Sequence, residues 1–115
     1  MADCLFCKMT AGEIPVTPLK RSADAFAIQD INPQAPTHVL VIPIQHVAAV
    51  RDAKGPEGEQ LLGRLFAFTA QLATELGLDA RGYRIVTNTG PDAGQSVDHL
   101  HLHLLGGRKM KWPPG

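Results

Sequence analysis

Three histidines alternate with leucines near the end of the chain, in the run His99-Leu100-His101-Leu102-His103. Successive side chains of a β-strand point to opposite faces, so the histidines would share one face and the leucines the other. A half-buried strand with an incidental polar face explains one histidine easily. Three in alternation favour catalysis or metal binding, because histidine is uncommon and both ring nitrogens need partners when partly buried.

Two cysteines form a Cys-x-x-Cys motif near the start of the chain, at Cys4 and Cys7. Such a motif is either redox-active or metal-binding. A thioredoxin-like motif lies between a strand and a helix, whereas this one lies at the N-terminal end of the sequence. His38 begins an apolar run, and it would lie beside the alternating histidines if the two strands are neighbours. On its own, His38 is a strand-end residue with no special role.

Strands that would position these residues follow from apolar patterning. The sequence predicts strands over 25–30, 38–43, 83–88 and 97–105. The segment 31–36 contains two prolines, so it is predicted to be a loop that connects the first two strands as an antiparallel hairpin. The alternating leucines would then pack under a helix, and the histidines would form a row on the open face.

One long helix is predicted after a loop at 54–58, and it ends at Gly77. Its apolar stripe has three- and four-residue spacing and comprises Leu61, Leu62, Leu65, Phe66, Leu72, Ala73 and Leu76. Short helices are predicted over 3–11 and 47–50. The fold class is therefore predicted to be α+β, a single domain over 1–115 with an antiparallel sheet and its helices on one face.

Composition excludes several classes of protein. The net charge is zero, so no basic surface for a nucleic-acid polymer is expected. No apolar run approaches the roughly 20 residues that span a bilayer, and the N-terminus lacks the pattern of a signal peptide. We therefore expect a cytoplasmic protein without a membrane partner, whose cysteines do not form a structural disulfide.

The motif His99-x-His101-x-His103 followed by two leucines resembles the signature of the histidine triad (HIT) family. The resemblance covers nearly the whole chain, including 30–38, which looks like the family's second-strand region, and 94–97, which looks like its phosphate loop. Leu105 to Arg108 and the ending Trp112 to Gly115 are similar to the Hint branch, the histidine-triad nucleotide-binding proteins. The resemblance implies a homodimer whose sheets are joined, and a bacterial-type member with a zinc site.

The family's chemistry implies a covalent nucleotidyl-histidine intermediate with His101 as the nucleophile. A neutral imidazole is nucleophilic near pH 7, provided that a neighbour fixes its tautomer. His103 and His38 match family histidines that stabilise charge on the phosphoryl oxygens or donate to a departing amine. Ser96 matches a serine whose hydroxyl reaches the leaving group.

The resemblance also implies the contacts of a bound purine nucleotide. Gly94, Gln95, Ser96 and Val97 match the phosphate loop, Asn88 matches a residue near the phosphate and ribose, and Asp30 matches the ribose-binding acid. The base would lie against Leu5, Phe6, Met9, Ile28, Ile31 and Leu40, each of which could equally be plain core. Trp112 would shape the leaving-group side of the partner chain's pocket, or pack on its own domain.

The resemblance also suggests a zinc site. His46 is similar to a Pro-x-x-His position that bacterial members use with two cysteines and the first triad histidine. The implied ligands are Cys4, Cys7, His46 and His99, a Cys₂His₂ set typical of a closed structural site. His99 would then take no direct part in the chemistry.

Three functions compete at this point. The first is hydrolysis of purine nucleoside 5′-phosphoramidates. The second is a dinucleoside polyphosphate hydrolase or nucleotidylyltransferase, which the Hint-like tail and the presence of His103 disfavour. The third is a nucleotide-binding regulatory module with incidental hydrolysis, which the intact His101 disfavours.

Overall fold

The computed structural model describes residues 3–115. Met1 and Ala2, which begin the segment expected to lack a signal peptide, lie outside the described residues. The elements, in chain order, are α1 (Leu5–Thr10), β1 (Lys20–Arg21), β2 (Ala25–Gln29), β3 (Thr37–Pro43), a 3-10 turn (Val50–Asp52), α2 (Gly55–Glu75), β4 (Tyr83–Val86) and β5 (Leu102–Gly106). The strands form one antiparallel sheet in the order β1-β2-β3-β5-β4. The predicted α+β class is confirmed, as is the hairpin between the first two predicted strands.

The two faces of the sheet carry separate apolar clusters, because side chains alternate along each strand. The larger cluster lies under α2 and contains, from the strands, Ala25, Ala27, Val39, Val41, Leu102 and Leu104. Leu100, just before β5, joins the same cluster, so all three alternating leucines pack on this side as predicted. Each fully buried leucine contributes about 1.5–3 kcal/mol through removal of its surface from water.

Helix α2 buries Leu61, Leu65, Phe68 and Leu72, a stripe with four- and three-residue spacing. Two members of the predicted stripe do not belong to it, since Phe66 and Leu76 are exposed. The helix begins at Gly55 and carries a proline in its first turn, so the predicted loop at 54–58 was wrong in all but its first residue. Proline is tolerated in a first turn because its missing N–H would have no partner there. Neither α2 nor any other helix within residues 3–115 is long and apolar enough to cross a membrane.

Helix α1 lies on the opposite face of the sheet from α2, so the prediction of helices on one face was wrong. Its Phe6 packs with Phe26 and Ile42 in the second apolar cluster. This face is therefore covered at one end, and His99 and His101 are buried and not in an open row. The sequence prediction missed this because six helical residues give too short a pattern to assign a face.

The strand predicted over 97–105 is the largest boundary error. β5 covers only Leu102–Gly106, and His99 and His101 precede it in irregular backbone. The Leu100 N–H donates to the Val47 carbonyl at 2.7 Å, and the His101 carbonyl accepts from the Thr87 hydroxyl at 2.9 Å. These bonds satisfy the backbone outside the sheet.

Smaller differences from the prediction concern the bounds of β4 and of the short elements. β4 stops at Val86 and not at residue 88, and the helix predicted at 47–50 is a 3-10 turn at Val50–Asp52. The two-residue strand β1 was not predicted. Such short segments carry too few residues for a periodic signal.

Candidate active site and metal centre

His38 and His103 come together because β3 and β5 are neighbours. In this antiparallel pairing Leu40 lies opposite His103, which places His38 diagonally across on the same face. The Nε2 atom of His38 lies 2.9 Å from Nδ1 of His103. The structure thus places His38 beside the triad, as the sequence predicted if the two strands were neighbours.

The tautomers of these two rings follow from their partners. The Gln34 main-chain N–H donates to Nδ1 of His38 at 3.0 Å. Neutral His38 must therefore carry its proton on Nε2 and donate it to Nδ1 of His103. His103 in turn keeps its own proton on Nε2, where it is available to an acceptor beyond the sheet.

His101 has the opposite tautomer from His38 and His103. Its Nδ1 lies 2.7 Å from the His99 carbonyl oxygen, which can only accept. Nδ1 therefore carries the proton, and neutral His101 has its lone pair on Nε2. The rings of His101 and His103 lie 5.1 Å apart between centroids. A nitrogen lone pair and an N–H donor thus belong to adjacent rings.

Burial also sets the charge state of His103. Burial lowers the pKa of His103 below 6.5, and the neighbouring His101 and His38 lower it further, with Asp30 opposing them. Near pH 7 the ring is therefore a neutral hydrogen-bond donor.

Asp30 lies directly after β2 and beside His38. One carboxylate oxygen accepts from the Asn32 N–H at 2.8 Å, and the other lies 3.4 Å from Nε2 of His38. Asp30, His38 and His103 have the residue types of a metal site, with ligand atoms within 4.8 Å of one another. The Gln34 amide on His38 Nδ1 forces a proton onto the nitrogen that would bind the metal, so the group is better suited to passing hydrogen bonds.

The second group of ligand types contains Cys4, Cys7, His46 and His99, the four residues predicted to bind zinc. The Cys4 Sγ lies 3.2 Å from His99 Nδ1, and the Cys7 Sγ lies 3.3 Å from His46 Nδ1 and 3.7 Å from His99 Nδ1. A tetrahedral zinc ion with bonds of about 2.0–2.3 Å separates its ligand atoms by roughly 3.3–3.8 Å. The donor set and its spacing therefore fit one such ion.

His99 is oriented for this role by the backbone. Its Nε2 donates to the Pro43 carbonyl at 2.8 Å, which leaves the lone pair on Nδ1, toward the sulfurs. Burial lowers the pKa of His99, and the neighbouring His46 and His101 add to this effect. Burial and the adjacent Cys4 raise the pKa of the Cys7 thiol. A zinc ion would supply the positive charge that holds both thiols as thiolates.

Phe6 connects the two groups of histidines. Its ring meets those of His99 and His101 edge-on, at centroid distances of 5.5 and 5.3 Å. Because Phe6 lies between Cys4 and Cys7 in sequence, the cysteine motif fixes a side chain that packs directly on His101.

The predicted base-binding residues fall into two groups. Phe6 belongs to the second apolar cluster, and Met9, Ile28 and Leu40 pack against it. Leu5 and Ile31 are not part of it, and both are exposed, Ile31 completely. The structure thus provides an apolar surface beside the histidines. Leu5 and Ile31, which are neighbours of these residues in sequence, remain exposed.

The predicted phosphate loop is braced by its glutamine. The Gln95 side chain accepts from the Gly90 N–H at 2.9 Å and donates to the carbonyls of Ala48 and Val97 at 2.7 and 3.1 Å. Its amide is therefore engaged with the backbone, and contact with a phosphate would fall to the loop's N–H groups. The cavity beside the loop, of about 440 Å³, is lined by Asp3, Cys4, Leu5, His46, Ser96, Val97 and Asp98.

Two predicted positions lie further out, and two contributing residues were missed. Asn88 is half-buried, two residues beyond β4, and Trp112 is 82% exposed in the C-terminal tail. Sequence reasoning missed Thr87, which holds the His101 carbonyl, and Gln34, which acts through its backbone. Neither has a sequence signal, because backbone N–H groups are common to nearly all residues and the threonine follows an ordinary strand.

The fold and site together define an α+β domain. Histidines whose tautomers are set by hydrogen bonds lie on one side of its sheet, with a Cys₂His₂ cluster beside them. The HIT domain family matches residues 11–110. The chain is 46% identical over 112 residues to the 14 kDa zinc-binding protein of Zea mays, covering 96% of this chain and 87% of that protein.

Solved structures agree with the sequence comparison. A HIT family hydrolase from Legionella pneumophila superposes with a TM-score of 0.93 at 47% identity, covering 98% of this chain and 100% of that one. A histidine triad nucleotide-binding protein from Candida albicans gives a TM-score of 0.80 at 34% identity, covering 96% and 83%. This chain belongs to the HIT domain family.

Proposed function

We propose that this protein is a Hint-branch hydrolase that cleaves purine nucleoside 5′-phosphoramidates through a covalent intermediate on His101. The observation that carries the proposal is the pair of tautomers. His101 holds its lone pair on Nε2 because Nδ1 donates to the His99 carbonyl, and adjacent His103 holds a proton on Nε2. Attack at phosphorus and stabilisation of its oxygens need these two opposite states.

The reaction proceeds in two displacements at phosphorus. His101 Nε2 forms a bond to phosphorus while the bond to the amine nitrogen breaks. The amine leaves with a proton that the Ser96 hydroxyl relays from solvent, and the water of the second step returns one proton to solvent. The Ser96 hydroxyl, beside the cavity, is the proposed contact to that leaving group. Water then attacks phosphorus, the bond to His101 breaks, and the nucleoside monophosphate is released. Throughout, His103 donates from Nε2 to a phosphoryl oxygen.

The nucleotide would bind along the apolar surface next to these histidines. We place the purine against Phe6, Met9, Ile28 and Leu40, with exposed Ile31 and Leu5 closing on it when it binds. Asp30 would accept from the ribose hydroxyls, and Asn88 would lie near the phosphate. The Candida albicans relative is named a nucleotide-binding protein, which supports this choice of ligand.

Zinc would be held by Cys4, Cys7, His46 and His99. It would supply no chemistry to the reaction and would instead tie α1, and with it Phe6, to the backbone that precedes β5. The name of the Zea mays relative, a zinc-binding protein, supports the same choice of metal.

A homodimer would complete the site. β4 is an edge strand of the sheet, and Tyr83 on it and Phe66 on α2 are exposed. Joining the sheets of two chains would cover such an edge. The exposed Trp112 would then reach the partner chain's pocket on the leaving-group side.

The test compares two substrates at equal enzyme concentration. A fluorogenic adenosine 5′-phosphoramidate should be turned over with AMP as product, whereas diadenosine polyphosphates should be cleaved at least about a hundredfold more slowly in kcat/KM, a difference of about 2.7 kcal/mol. Faster cleavage of the polyphosphates would favour the dinucleoside polyphosphate hydrolase instead. AMP binding without turnover of either substrate would favour a regulatory nucleotide-binding module.

A further inference from the structure

The loop between β2 and β3 is held from the end of β5. The Arg108 side chain donates from Nε to the Gln34 carbonyl at 2.8 Å. It also donates from a terminal guanidinium nitrogen to the Lys109 carbonyl at 3.2 Å. The planar guanidinium thus connects this loop to the segment that follows the strand carrying His103.

A second contact reaches the same loop at Pro36, two residues beyond Gln34. Gly107 has a φ of +90°, and a Cβ at this position would lie 2.9 Å from the Pro36 Cβ. The glycine backbone therefore lies directly against the proline of the loop. We call Gly107 and Arg108 together the loop clamp.

The clamp acts on the residue that determines the tautomer of His38. Gln34 accepts from Arg108 through its carbonyl, and its own N–H donates to Nδ1 of His38. His38 donates in turn to His103. Hydrogen bonds joined through the backbone of Gln34 therefore connect the exposed Arg108 to His38 and His103.

We propose that Arg108 is a positioning residue for the reaction, which acts through Gln34 to hold His38 and His103 in the tautomers that present a proton to the phosphate. This proposal rests on the proposed function of His103. Without the Arg108 guanidinium, the Gln34 amide moves and Nδ1 of His38 can carry the proton. His38 Nε2 then becomes an acceptor, so His103 must place its proton on Nδ1. The lone pair of His103 would then face the phosphoryl oxygens and repel them.

Two variants and a matched control test this. Arg108→Met keeps the length of the aliphatic stem and removes every N–H donor, whereas Arg108→Lys keeps one charged donor for the Gln34 carbonyl. Arg64→Met is the control, because Arg64 is also exposed and its nearest carboxylate, on Asp24, lies on a different part of the surface. Neither arginine side chain is hydrogen-bonded to a histidine within residues 3–115.

The first readout needs no substrate. The ¹⁵N chemical shifts of the imidazole nitrogens distinguish the two neutral tautomers of His38 in a sample kept at alkaline pH. The wild-type protein and Arg64→Met should show the single Nε2–H form. Arg108→Met should show a mixture of tautomers, and Arg108→Lys should be closer to wild type.

The second readout is turnover of the adenosine phosphoramidate. Arg108→Met should lower kcat by about tenfold with KM changed less than about twofold. The His103 N–H that is lost from the phosphate acts mainly in the transition state. Arg108→Lys should recover most of kcat, whereas Arg64→Met should match wild type. A merely structural role would lower the melting temperature without changing the tautomers.

The outcomes separate this proposal from the proposed function. A single Nε2–H tautomer of His38 in Arg108→Met, with kcat unchanged, would overturn the positioning role and leave the hydrolase intact. Failure of Arg108→Lys to restore kcat or the tautomer would also overturn it. Mixed tautomers in Arg108→Met, together with a wild-type protein that cleaves no phosphoramidate, would contradict the proposed function alone.

Discussion

The Nδ1 atom of His101 lies 2.7 Å from the main-chain carbonyl oxygen of His99. One residue therefore contributes to both sites, since its carbonyl sets the tautomer of His101 while its imidazole faces Cys4 and Cys7. The proposed zinc ligand and the proposed nucleophile are only two residues apart along the chain. Substitutions of the cysteines and of His101 can therefore separate the contributions of the zinc site and of the catalytic site.

Zinc should be a structural component of the protein. Metal analysis of the purified chain should find about one zinc per chain, as expected for one Cys₂His₂ site. The double variant Cys4→Ser, Cys7→Ser should lose the metal and melt roughly 5 °C or more below wild type, because α1 is released from the backbone before β5. It should retain measurable hydrolysis, since no ligand attacks the substrate.

The control for this prediction is chelation. A strong chelator should lower the melting temperature of the wild-type protein and leave that of the double variant unchanged. Native protein that contains no metal, and whose melting does not respond to the chelator, would show that these four residues do not bind zinc.

The C-terminal tail should act on the leaving group of a neighbouring chain. Arg84 donates to the Lys111 carbonyl at 3.1 Å, and Trp112 beyond this anchor is exposed. Deletion of residues 111–115 should leave the core stability unchanged, because the core clusters lie elsewhere in the fold. It should change kcat/KM unequally for phosphoramidates of bulky aromatic amines and of small ones.

Trp112→Ala serves as the point variant that matches the deletion, and Lys109→Ala as a control on the same tail. Light scattering should report a dimer at micromolar concentration. A fully active monomer, or a deletion that affects all amines by one factor, would show that the tail plays no part across a dimer.

The low pKa of His103 should make stability depend on pH. Its folded pKa lies below the usual 6.5 because of burial and of its neighbours His101 and His38, opposed by Asp30. The unfolded chain therefore binds more protons between these two values, so the free energy of unfolding falls as pH decreases through and below about 6.5. It should level off once the pH lies below the folded pKa.

Chemical denaturation at a series of pH values measures this effect. His103→Asn should show a shallower dependence than wild type over the same window, because one buried titrating ring is removed. Equal slopes for the two proteins would mean that His103 titrates alike in the folded and unfolded states.

Much of the site could be predicted from the sequence because its chemistry depends on residue type. The alternation of histidine and leucine indicated two faces, and the resemblance to the HIT family indicated one cluster of Cys4, Cys7, His46 and His99. The strand boundary at Leu102 could not be predicted, because it depends on bonds from Val47 and Thr87, which are distant in sequence. For the same reason the burial of His101 under Phe6 could not be read from the alternation.

The tautomers were also beyond the sequence, although the need for a fixed tautomer was not. They depend on backbone groups of Gln34 and His99, and a backbone N–H or carbonyl has no signature in the residue type. Arg108 is a further example. Its partner is a carbonyl 74 positions away in sequence, which no local pattern connects to it.

The role of His101 is tested most directly by the kcat of His101→Asn on the adenosine phosphoramidate, with AMP affinity measured on the same sample. Turnover should be abolished while AMP binding stays within a few-fold of wild type, because the covalent route disappears and the pocket remains. Retention of more than about a tenth of the wild-type kcat, which corresponds to a loss of less than about 1.4 kcal/mol, would contradict the assignment of His101 as the nucleophile.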